Sequence, residues 1–262
     1  MKITQLRNAT LVIHYKDQVI LVDPMLAAKG AIPSLTYITR NRHRNPLVDL
    51  PHQSDEILSK VTHCLITHCR KGHFDHLDRA GSKWLRQNNI KVFCSEQDSD
   101  FLRNKGLAVQ VLSADQPNDF FDGHIQLIPC LHGRGLVGKL MEHGYGFVIT
   151  QPNEPSLYLT GDTVLSEKVK ACITQQAPDV IVLPAGGARL DLGGEIIMGL
   201  DEAIAVAKLT QGKVIANHLE ALDHCPVSRD SLRAAACDAG VAERYYVPQD
   251  GETLVLECHN AA

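Results

Sequence analysis

The sequence predicts a single α/β domain, and its two strand-rich halves with interspersed helices suggest two sheets packed face to face, with helices outside. Three observations predict it. Short apolar runs bounded by turn residues recur through the first half. In the second half such runs alternate with segments of helical period. No repeat, low-complexity tract or composition break divides the 262 residues, so 1–262 is expected to be a single domain with ample apolar surface to bury.

Residues 11–15 and 19–22, joined by Lys16-Asp17-Gln18, read as a hairpin that ends where Asp23-Pro24 stops the ladder. Residues 25–53 form a long connection containing prolines 33, 46 and 51 and the basic run Arg40-Asn41-Arg42-His43-Arg44. So long a loop reads equally as an active-site lid or a surface excursion. Ser54 is placed to cap a helix over 55–60, 64–66 is a buried strand, and 78–88 suits a helix. Ser95, followed by Asp98 and closed by Gly106, marks another helix. Strands are expected at 91–94, 108–112, 125–129, 146–150 and 157–160. Leu165, Val169, Cys172 and Ile173 share one helical face. Then come a strand at 180–183, a helix at 201–209, a strand at 214–216, a helix at 228–239 closed by Gly240, and a last strand at 253–257.

Composition excludes several partners. With 26 basic and 30 acidic residues the formal charge is −4, so no broad positive field recruits nucleic acid or an anionic membrane. No apolar stretch approaches bilayer-spanning length, and the first residues lack the apolar segment of a signal peptide. Eight scattered cysteines without a C-x-x-C pair read as reduced thiols, and the expected location is the cytoplasm.

The thirteen histidines are the outlier. An apolar run ends in Thr67-His68, and His73, Asp75 and His76 follow within one turn. Imidazoles and a carboxylate crowded together suit a borderline metal better than a core, where unpaired polar groups are costly. His132, Asp162 and His218 each lie at or just after the end of a later apolar strand. Open sheets present functional groups at one set of strand ends, so these residues could meet in space.

This ordered set resembles the metallo-β-lactamase superfamily, whose signature H-x-H-x-D-H is followed by a histidine, an aspartate and a final histidine. His73-Phe74-Asp75-His76 supplies the second half of that signature. Asn8-Ala9-Thr10, 19–24, Gly161-Asp162-Thr163 and 198–203 look like the branch of ascorbate-6-phosphate lactonase-like hydrolases. The resemblance implies a four-layer αββα sandwich of two mixed sheets with outer helices. It also implies two divalent metal ions, Zn²⁺ first, with Mn²⁺ or Fe²⁺ as alternatives. His68, His73 and His132 would hold one ion, and Asp75, His76 and His218 the other, with Asp162 bridging. A metal-bound hydroxide would cleave a small, anionic ester, lactone or phosphodiester, with Asp75 orienting the nucleophile or taking up a proton. Asp23 would fix a ligand imidazole. One departure stands out: Cys69-Arg70-Lys71-Gly72 separates His68 from His73, where the family has a single residue. The expectation is a bulge, turned with the help of Gly72, that leaves His68 in place.

Other positions read more plainly. His14, His52, His63, His124 and His259 are ordinary surface or core histidines, and His224 is the rival to His218. Residues 133–139, with His143-Gly144-Tyr145-Gly146, read equally as a cleft lining, with Arg134 and Lys139 meeting an anion, or as a flexible connection. The loop Gly186-Gly187-Ala188-Arg189 reads as a turn or a cleft loop. The rival functions are a mononuclear iron oxidoreductase, a metal-dependent nuclease and a non-catalytic binding protein. A homo-oligomer is left open.

Overall fold

β1 (Lys2–Arg7), β2 (Thr10–Tyr15) and β3 (Gln18–Val22) form an antiparallel meander, and β4 (His63–Leu65), β5 (Lys91–Ser95) and β6 (Ala108–Leu112) extend it in parallel. In the second sheet β7 (Asn118–Phe120), β8 (Gly123–Pro129), β9 (Tyr145–Thr150) and β10 (Leu157–Leu159) are antiparallel neighbours. β11 (Val180–Pro184), β12 (Lys213–Asn217) and β13 (Tyr245–Tyr246) continue in parallel. β14 (Thr253–Val255) returns to pair antiparallel with β1. The computed structural model describes residues 1–36, 38, 42–70, 72–141, 144–191 and 193–257, with only the backbone of 136, 139 and 140. Among them, each sheet has seven strands in mixed order.

Strand alternation builds the layers. Leu11, Ile13, Val22 and Leu65 of the first sheet face Leu127, Phe147, Leu159 and Val182 of the second. The intervening residues Leu21, Cys64 and Ile66 turn outward to α1 (Ser54–Leu58), α2 (Arg79–Gln87) and α3 (Glu96–Asn104) through Leu58, Leu85 and Leu102. On the other side, Ile181 and Leu183 meet Val169, Val206 and Leu232 of α5 (Glu167–Gln176), α6 (Leu200–Leu209) and α7 (Arg229–Asp238). This is the expected αββα layering. Burying each such side chain contributes about 1.5–3 kcal/mol, which lets the scaffold carry local strain at its strand ends.

The sequence reading differs in four places. β1 was not expected, because it buries Thr4, Gln5 and Arg7 and so shows no apolar alternation. β7 and β13 are only three and two residues long, too short for a periodic signal. Ser54 does not cap α1: it lies inside the helix, and its hydroxyl donates to Pro51 O at 2.6 Å. The glycine-rich segment at 133–139 contains α4 (Gly135–Leu140). Gly138 is required there, since a Cβ would lie 2.2 Å from Gly133 O. No helix among the described residues is long and apolar enough to cross a membrane.

The long connection at 25–53 is fastened down. Arg7, fully buried, donates to Met25 O at 2.7 Å, Ala27 O at 2.8 Å and Val48 O at 3.1 Å. Of the basic run, Arg40 and Asn41 lie outside the described residues, and Arg44 donates to Gly30 O and Ala31 O of its own loop.

Candidate metal centre

Both sheets deliver their polar strand ends to one place. The turn after β4 carries His68, His73, Asp75 and His76. His132 follows β8, Asp162 follows β10, and His218 follows β12. All seven are buried. They fall into two groups, His68–His73–His132 and Asp75–His76–Asp162–His218, and within each one ligand atom per residue lies within 4.8 Å of all the others. Each group therefore draws two residues from the first sheet and the rest from the second.

His68 keeps its place despite the longer spacing. Its ring lies 4.4 Å from that of His73 and 5.4 Å from that of His132, centroid to centroid. Gly72 takes φ 98°, a conformation that glycine adopts without strain, and so carries the bulge. Thr67 Oγ1 lies 3.0 Å from His68 Nδ1, whereas His68 Nε2 is buried with no hydrogen-bond partner among the described residues. A buried nitrogen left without a hydrogen bond beside two more imidazoles is what a metal-binding triad requires.

The second group is held by charge. Asp162 Oδ2 lies 3.0 Å from His76 Nε2, 3.4 Å from His218 Nε2 and 3.9 Å from His132 Nε2, so it touches both groups. Asp75 Oδ2 lies 3.4 Å from His218 Nε2 and 3.7 Å from His76 Nε2. Burial alone would lower the pKa of His76 and His218, but Asp162 with its neighbouring acids outweighs it and raises both. Burial would likewise raise Asp75 and Asp162, but the imidazoles hold both below the usual carboxylate range. The group thus balances two carboxylates against protons that a divalent cation would displace. In the first group the order reverses. Burial and neighbouring imidazoles lower His68, and burial pushes His73 down to about 4, leaving unprotonated nitrogens.

Supporting contacts aim these side chains. Asp23, 1% exposed, accepts from Thr67 N at 2.8 Å and Thr67 Oγ1 at 2.6 Å, and its Oδ2 lies 2.9 Å from His76 Nδ1. That bond turns His76 Nε2 toward Asp162. His132 Nδ1 donates to Ile196 O at 2.7 Å. Asn8 Nδ2 donates to Asp75 O at 3.4 Å and lies equally close to His218 Nε2. Asn8, Asp23 and His218 all have positive φ, at 55°, 46° and 57°. Such conformations cost about 1–3 kcal/mol each and persist where surrounding contacts fix them. Sequence reasoning missed Thr67 and Ile196 as supports. Thr67 stands beside His68, but a backbone carbonyl such as that of Ile196 leaves no signal.

A cleft of about 150 Å³ opens over both groups. His73, Asp75, His132, Asp162 and His224 supply its polar lining, and Leu35, Met141, Ala188, Leu190 and Ile196 its apolar walls. The loop at 186–189 thus borders the cleft. No lysine or arginine is among the described residues lining it. Arg134 is paired instead with Glu202 at 2.7 Å and Arg189 with Glu195 at 2.7 Å, while the Lys139 side chain and His143 lie outside the described residues. Leu35 belongs to the long connection, which therefore forms a cleft wall. Asp223 clasps that wall, accepting from Leu35 N at 3.1 Å, Asn45 Nδ2 at 2.9 Å, Thr36 Oγ1 at 3.0 Å, His43 N at 3.3 Å and the Ser34 hydroxyl.

With this geometry in hand, a family model described as the beta-lactamase superfamily domain matches residues 2–217. The chain belongs to the metallo-β-lactamase superfamily. Within it, this superfamily member is 37% identical over 263 residues to the UPF0173 protein YddR of Bacillus subtilis (strain 168), covering 98% of this chain and 100% of the relative. The UPF0173 metal-dependent hydrolase MJ1163 of Methanocaldococcus jannaschii is 27% identical over 81% of this chain and 90% of its own. Among solved structures, an isothiocyanate hydrolase from Delia radicum gut bacteria superposes with a TM-score of 0.88 at 32% identity, covering 98% of this chain and 100% of its own. A possible metal-dependent hydrolase from Veillonella parvula DSM 2008 superposes at 0.89 with 28% identity, covering 98% and 99%. The superfamily member thus falls in the UPF0173 group of metal-dependent hydrolases.

Two substitutions probe the assembly. His68→Ala is expected to lower the divalent metal bound per chain by about one equivalent, read by elemental analysis after dialysis. An unchanged count would remove His68 from the first group. Asp223→Ala leaves the clasped groups without their acceptor. It is expected to lower the melting temperature by several degrees and to raise KM more than it lowers kcat. Equal loss in both parameters would mean that the wall does not contact substrate.

Proposed function

We propose that this protein is a binuclear zinc hydrolase acting on small, neutral electrophiles with an apolar substituent, isothiocyanates being the first class to test. One observation carries the reading: two groups of candidate ligands lie at the floor of a small cleft with apolar walls and no cationic lining residue among those described. The ions would hold a reacting phosphate or carbonyl, but an anionic group elsewhere on the substrate would meet no cationic side chain among the described lining residues. A volume on the scale of one aromatic ring suits a compact apolar group. The 32% identity to an isothiocyanate hydrolase along the whole chain supports the same class.

His68, His73 and His132 would hold one ion, and Asp75, His76 and His218 the second, with Asp162 between them. Ions held there would supply Lewis acidity, polarising the electrophile and bringing the pKa of water to about 7. The chain's own residues do the rest. Leu35, Met141, Leu190 and Ile196 take the apolar substituent and displace water from around it. Asp75, in the cleft and held by two imidazoles, accepts a proton from the attacking water. In isothiocyanate hydrolysis the water oxygen bonds to the central carbon and the C=N π pair moves to nitrogen, which is protonated. The resulting thiocarbamate then breaks its C–N bond, giving amine and carbonyl sulfide from one water.

The test is to assay the zinc-loaded protein for amine release from alkyl and aryl isothiocyanates, beside a lactone and a phosphodiester. Isothiocyanate turnover well above the other two is expected. Hydrolysis of the phosphodiester or lactone alone would overturn the substrate class while keeping the hydrolase.

A further inference from the structure

His224 is the one histidine of the cleft that belongs to neither candidate ligand group among the described residues. It follows Asp223, so the clasp that secures the cleft wall also fixes its backbone, and its carbonyl accepts from Arg189 N at 3.0 Å. The ring stands edge-on to His218, with centroids 6.4 Å apart. His224 Nδ1 faces Cys225 Sγ at 4.0 Å. Its Nε2 has no hydrogen-bond partner among the described residues, and it is not among the buried unpartnered atoms, which leaves it open to the cleft. A side chain only 6% exposed that directs a polar atom into an apolar cleft needs a partner there, either water or substrate.

Resting on the function proposed above, we propose that His224 is a substrate-binding residue whose Nε2–H donates a hydrogen bond to a heteroatom of the bound electrophile. Cys225 Sγ lies between two imidazoles, 3.5 Å from His218 Nδ1 and 4.0 Å from His224 Nδ1, and its contact at Nδ1 leaves Nε2 as the His224 nitrogen free to donate into the cleft. Asp75 and Asp162 line the same cleft, so the donor complements their acceptors and fixes which end of the substrate faces the water. It also explains how a cleft with no cationic lining residue among those described can orient a neutral molecule.

The experiment compares zinc-loaded wild type with His224→Leu, which keeps bulk and loses the donor, and His224→Gln, which keeps a donor. Three readings are taken: zinc per chain, kcat and KM for an isothiocyanate, and the Kd of a stable thiocarbamate, the O-methyl N-alkyl ester, by calorimetry. The expected result is unchanged zinc, with KM and Kd raised about tenfold in His224→Leu and largely recovered in His224→Gln. Loss of zinc would make His224 a metal ligand and overturn the proposal, as would unchanged KM and Kd in His224→Leu. If the wild type binds the thiocarbamate without turning over isothiocyanates, the reaction assigned above fails and the Kd comparison alone judges His224. If it binds neither, both are overturned.

Discussion

Asp162→Ala is expected to lower divalent metal affinity by more than about 100-fold and to reduce hydrolysis about a thousandfold. The expectation follows from position: one carboxylate oxygen lies within 3.9 Å of imidazoles from both candidate groups. Its removal takes an acceptor from each group and leaves His76 and His218 with Asp75 as the remaining carboxylate of their group. Elemental analysis and amine release, measured on the same preparation, check it. Full metal content with full activity would sink the bridging assignment. The circular dichroism spectrum should stay native at low temperature, with the melting transition lowered, since His76 and His218 lose a buried partner.

Asp23→Ala is expected to be nearly as damaging without removing any candidate ligand. The buried carboxylate receives the Thr67 amide and hydroxyl and meets His76 Nδ1. Breaking a buried, hydrogen-bonded pair from one side costs about 3–5 kcal/mol. The freed His76 ring would lose the bond that directs Nε2, which costs about 10–100-fold in metal affinity. Urea melts with a chelator present read the first effect, and competitive zinc titration reads the second. A stability loss with unchanged zinc affinity would show that Asp23 supports the fold alone.

The seven candidate ligands were legible because each stands just past an apolar strand or on the crowded turn after β4, where hydrophobic pattern and metal-capable chemistry coincide. The αββα layering followed from the ordered motifs rather than from periodicity. The mixed polar and apolar β1, with buried Arg7 anchoring a loop about twenty residues away, has no periodic signature. The helix at 135–140 was hidden by glycines, which ordinarily disfavour helix but here permit close backbone approach. Asp223 was illegible for a different reason. Its partners lie nearly two hundred residues earlier, and long-range polar contacts leave no trace in local spacing. The same holds for His224: the choice between the two histidines came from strand position, while the cleft-facing orientation of the second needed the fold.

The division of the seven residues between two sheets has a consequence for how the protein matures. Neither half of the chain can assemble a complete set of donors alone, because each group needs side chains from both. A full set of donors would therefore exist only where the two sheets meet, as a rivet through a seam. Closing the seam and completing the two sets of donors are then a single event, so the supply of metal and the stability of the closed fold would be linked.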